Sequence, residues 1–86
     1  MSLFIISLTP PSVRVGWEGP LTINGQELGK PGFVEIDGDE QKIVSWSVQR
    51  IVTTVTRTTT ANAGKKRLVV HDEDGGFGET EWHVEP

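Results

Sequence analysis

Along this chain apolar and polar residues alternate in short runs. Ile6 and Leu8, Leu21 and Ile23, Val34 and Ile36, Val44 and Trp46, Ile51 and Val55, Leu68 and Val70, and Trp82 and Val84 each share a parity within their run. A side-chain period of two belongs to a strand with one face buried, and no stretch keeps a helical period over three turns. Each pair therefore predicts a half-buried strand, the first over Met1–Leu8. Between the runs stand Pro10-Pro11, Gly19-Pro20, Asn24-Gly25, Gly29-Lys30-Pro31-Gly32, Asp37-Gly38, Ala61-Asn62-Ala63-Gly64 and Asp74-Gly75-Gly76. Proline presets φ for a turn and glycine accepts positive φ, so each of these predicts a bend. About seven short strands at this spacing predict an all-β, antiparallel two-sheet sandwich. The threonine-rich run Thr53–Thr60 agrees, because β-branched side chains suit a pleated surface and lose freedom in a helix. The alternation also places Trp46 and Trp82 inside, and Val52, Val69 and the threonines of Thr54–Thr58 outside.

Composition narrows the picture. The chain has 86 residues, 35% of them hydrophobic, with net charge −4, no cysteine and no tyrosine. It reads as one domain over residues 1–86, and a domain of this size buries only about 60% of the surface its unfolded chain exposes. No disulfide is available to supplement that small core. The basic residues Arg50, Arg57 and Lys65-Lys66-Arg67 are dispersed and outnumbered by twelve acidic ones, so no nucleic-acid partner is expected. No stretch approaches the roughly 20 apolar residues of a membrane span, and Met1–Leu8 lacks the basic start of a signal peptide, so no membrane partner is expected either.

Candidate chemistry is sparse. "HDEDGG", His71–Gly76, sets three carboxylates beside an imidazole. Counted from Asp72, however, the fifth position is Gly76 and the twelfth is His83, which is not the ligand pattern of a calcium-binding EF-hand loop. A hairpin turn explains it better. His71 and His83 share an outward parity on the last two strands, but two imidazoles without a third ligand fall short of a zinc site. Ser2, Ser7, Ser12, Ser45 and Ser47 lack any activating context. Asp37 and Asp39 lie in a turn, where solvation keeps carboxylates ordinary acids. Gly29–Gly32 opens a strand, whereas a phosphate loop opens a helix. No catalytic residue, cofactor or metal is expected, and the chain reads as not an enzyme.

The order of motifs resembles an IPT/TIG domain over nearly the whole chain. "ISLTPPS" from Ile5 looks like that family's first strand and proline-serine turn. "LTINGQELG" resembles its strand, glycine turn and re-entering apolar residue, and "VEIDG" its next strand and turn. "IVSWSVQRIVTTV", "AGKKRLVVHDEDGG" and "EWHV" follow in the same order as the remaining strands. The resemblance implies an immunoglobulin-like sandwich in which Asn24-Gly25 bends the chain and Leu28 tucks back inside. Two departures stand out. Gly16-Trp17-Glu18-Gly19 replaces the family's glycine pair, and Thr53 takes a place more often aliphatic.

A solitary immunoglobulin-like domain carrying its own Met1 and no leader suggests a bacteriophage virion protein that decorates capsid or tail, with capsid or tail subunits, or a host surface polysaccharide, as its partner. The alternative is an extracellular carbohydrate-binding or spacer module of a larger bacterial surface protein or enzyme. Such a module would need exposed aromatics, for which Trp17 is the candidate. Trp17 belongs to no alternating run. Either it caps one end of the core beside Pro20, or it is an exposed anchor with Arg14 and Glu18 as its polar rim.

Overall fold

The computed structural model describes residues 3–86; Met1 and Ser2, read as the start of the first strand, lie outside the described residues. Eight strands follow in chain order: β1 (Phe4–Thr9), β2 (Ser12–Arg14), β3 (Gly19–Gln26), β4 (Phe33–Ile36), β5 (Asp39–Trp46), β6 (Arg50–Val55), β7 (Gly64–His71) and β8 (Phe77–Glu85). They hydrogen-bond in the order β1-β3-β6-β5-β4-β7-β8-β2. The strand that joins the two layers is β5. Its start, Asp39–Gln41, pairs with β4, and its remainder, Lys42–Trp46, pairs with β6. The result is the expected all-β, immunoglobulin-like sandwich, with one refinement: β2 runs parallel to β8. The prolines Pro10 and Pro11 carry the chain from the edge of one layer to the edge of the other, which makes β1 and β2 separate strands.

The inner faces are those the alternation predicts for most strands. Leu21, Ile23, Val34, Ile36, Ile51, Val55, Leu68, Val70 and Trp82 are fully enclosed, Val84 nearly so, and Leu28 returns to the core as expected. Two strands depart from their simple parity. In β1 the register against β3 steps from Ile5↔Gly25 to Ser7↔Asn24, leaving Ile6 unpaired. In β5 it steps from Ile43↔Thr53 to Ser45↔Val52, leaving Val44 unpaired. Each is a β-bulge, in which one extra residue shifts the parity of the rest of the strand. Ile6 and Val44, both expected inside, are therefore 56% and 61% exposed. Ile5 with Leu8, and Ile43 with Trp46, pack on the core in their place. Both bulges lie on the outermost strands of the β1-β3-β6-β5 layer, where a kink discourages pairing with a foreign strand.

Asn24-Gly25 does not turn the chain, contrary to expectation; both residues lie within β3. A Cβ on Gly25 would collide with the Phe4 carbonyl oxygen, so the glycine admits the close approach of β1. The bend comes later, at Glu27 and Gly29, which have φ of 55° and 70°. Asp37-Gly38 is the tight hairpin expected, with positive φ at both residues. Among the described residues every buried side-chain polar atom has a hydrogen-bond partner. Thr53, at a position where the family resemblance expects an aliphatic residue, is fully buried, and its Oγ1 donates to the Lys42 carbonyl at 2.6 Å, one residue before the bulged pair. The hydroxyl thereby satisfies a backbone group next to the disrupted ladder.

Candidate binding surface

Two regions are candidates for a binding role. The first is the end of the sandwich that holds the Val15–Glu18 connection. Trp82, enclosed on β8, donates from Nε1 to the Pro10 carbonyl at 3.0 Å. Trp17 meets it edge to face, with ring centroids 6.0 Å apart and planes at 71°, a favoured aromatic geometry. The loop is held from below by Thr60, whose Oγ1 donates to the Trp17 carbonyl at 2.6 Å and whose own carbonyl accepts from the Gly16 amide at 2.9 Å. Gly19 leaves room for the ring, since a Cβ there would stand 3.1 Å from it. Trp17 is thus half-buried as a lid on the core. Arg14 is exposed on β2, and Glu18, also exposed, pairs with Arg57 at 3.3 Å. Trp46, expected to be enclosed, is half-buried instead, and its Nε1 donates to the Leu28 carbonyl at 3.1 Å.

The second region is the outer face of β4, β7 and β8. The register places Phe33, His71 and Phe77 side by side across the three strands. Phe33 and His71 stack at 4.4 Å with planes 16° apart, and Phe77 lies on the other side of the imidazole at 6.5 Å. Phe77 is 56% exposed and Phe33 36%. One step along the strands, Glu35, Val69 and Glu79 form the next row. Glu35 Oε1 lies 3.1 Å from His71 Nε2, and Arg67 Nε donates to Glu79 Oε2 at 2.7 Å. A shallow depression of about 370 Å³ lies here, with Val69 among the residues that line it.

Trp17 is therefore not the sole aromatic at the surface. The outward parity of Phe33 and His71 is readable from their places beside Val34 and Val70, and that of Phe77 from its odd separation from Trp82. The register that aligns them is not. The two histidines are separated by the same register, because His83 faces Lys65 and His71 faces Phe77 at opposite ends of β7. Six residues of strand set them about 20 Å apart. In the Asp72–Gly76 turn, Asp72 Oδ1 accepts from the amides of Asp74 and Gly76 at 2.9 and 2.7 Å, so that carboxylate serves its own hairpin.

No protein-family model matches the chain, and no curated protein matches it. Solved structures share its fold. A gamma-CGTase from alkalophilic Bacillus clarkii matches over 96% of this chain and 12% of its own, with a TM-score of 0.79 and 22% identity. An auxiliary nutrient binding protein from Bacteroides ovatus matches over 99% of this chain and 21% of its own, with a TM-score of 0.68 and 14% identity. The chain spans about an eighth to a fifth of the length of these proteins. At these identities the likeness shows the fold, an all-β immunoglobulin-like one.

Proposed function

We propose that this chain is a non-catalytic accessory module of a secreted or cell-surface bacterial protein, acting by binding or by spacing its neighbours, and that it is of the IPT/TIG type. The observation that supports this most is the lopsided coverage: nearly all of this chain matches a small part of much longer chains, one described as a gamma-CGTase and one as a nutrient binding protein. The depressions on the surface of this chain are shallow and open to solvent, unlike a chamber that encloses a substrate.

The virion reading, with capsid or tail subunits docking on Trp17, Arg14 and Glu18, has less behind it. Neither neighbour is a virion protein by its description, the Trp17 ring packs on Trp82, and Glu18 already has Arg57 as a partner. The test is to assay the purified chain against chromogenic glycosides and phosphate esters while following its unfolding. The accessory reading predicts a cooperative transition and no turnover above buffer. Turnover that follows the chain through purification would contradict it.

A further inference from the structure

We propose that the outer face of β4, β7 and β8 carries a binding site for a neutral saccharide, centred on Val69 and bounded by Phe77, His71, Glu35 and Arg67. The inference rests on the accessory-module reading and adds to it a site and a ligand class. A sugar ring is amphipathic: its C–H face packs on apolar surface while its hydroxyls need both donors and acceptors. The depression offers that combination. Val69 and the exposed Phe77 ring supply apolar surface. The Glu35 carboxylate contacts His71 Nε2 through Oε1 alone, so Oε2 remains an acceptor. Arg67 lies on the other side, with Glu79 as its ion-pair partner and most of its side chain exposed, so N–H groups outside that pair can reach a ligand hydroxyl. The side chains on which this arrangement depends project from paired strands, and sites on strands are held more accurately than sites on loops.

Size and charge select the occupant. The shallow, open form of the depression, about 370 Å³, suits a sugar ring of a polymer lying on the surface rather than a small ligand enclosed in a pocket. A stable protein partner would need about 800 Å² per side, and the exposed large apolar side chains of this face are Phe33 and Phe77. Strand addition is unavailable at its centre, because β7 is paired on both edges along Leu68–His71. The charged side chains that line the depression, Glu35 and Arg67, offset one another, which gives an anionic sugar no net attraction.

The test is affinity electrophoresis of the purified chain in native gels containing soluble starch, mixed-linkage β-glucan, xylan or polygalacturonate. Retardation is expected on at least one of the three neutral polymers, at unchanged mobility on polygalacturonate. Phe77→Ala is expected to weaken it about tenfold or more, and Glu35→Gln to weaken it by a smaller factor. Phe4→Ala, an exposed aromatic on β1 away from this face, is expected to leave it unchanged, and circular dichroism confirms that each variant is folded. Absence of retardation on every neutral polymer would overturn the site, as would retardation confined to polygalacturonate or undiminished in folded Phe77→Ala. A chain that folds and lacks turnover but is not retarded would leave the accessory-module reading standing as a spacer, so the two failures are distinguishable.

Discussion

Trp17 stands edge-on to Trp82 at a centroid distance of 6.0 Å, so a loop residue without strand parity completes the core begun by a strand residue with it. The two rings differ in burial and should differ in what they contribute. Trp82→Ala removes a fully enclosed ring and its hydrogen bond to Pro10, and is expected to cost roughly 3–5 kcal/mol, comparable to the stability of a domain this small. Trp17→Ala is expected to cost about 2 kcal/mol from partial burial and the aromatic contact. Urea unfolding checks both, and a Trp17→Ala protein of unchanged stability would show that the ring does not act as a lid.

Gly25 is a test of how β1 is attached. The Phe4 carbonyl oxygen lies where it would collide with a Cβ, so Gly25→Ala must push β1 away from β3, at an expected cost of about 1–3 kcal/mol. Hydrogen exchange should show the β1 amides losing protection before those of β6 and β7. Protection equal to that of the parent chain would mean that β1 is not held this close.

Thr53 separates two ways of reasoning. The IPT/TIG resemblance favours an aliphatic side chain at this position, which argues that Thr53→Val would stabilise. The hydrogen bond of Thr53 Oγ1 to the Lys42 carbonyl at 2.6 Å argues the reverse. Val has nearly the same shape but leaves that acceptor without its partner, so a loss of about 1–2 kcal/mol is expected in thermal or urea unfolding. A gain in stability would contradict the assignment of the bond.

Some parts of the molecule are legible in its sequence and others are not. Leu68, Val70, Trp82 and Val84 alternate without interruption, and their strands pair without a bulge, so parity alone places them correctly. Parity misplaces Ile6 and Val44 because a bulge inserts one residue without any mark in the local pattern: Ile5-Ile6 and Ile43-Val44 are apolar pairs, and either member could face inward. Asn24-Gly25 looks like a turn because the same glycine serves both turns and close backbone approaches. The aromatic row is hidden for another reason. Parity gives the face of Phe33, His71 and Phe77, but only register makes them neighbours, and register depends on pairings between strands far apart in the chain.

The most direct test of the binding account is an amide chemical-shift titration of the isotopically labelled chain with maltohexaose, cellohexaose and xylohexaose in turn. The account predicts that at least one of these produces saturable shifts clustered at Phe33–Glu35, Arg67–His71 and Phe77–Glu79, with the Val15–Gly19 loop unmoved. Shifts centred on Trp17 and its neighbours, or none with any of the three sugars, would contradict it.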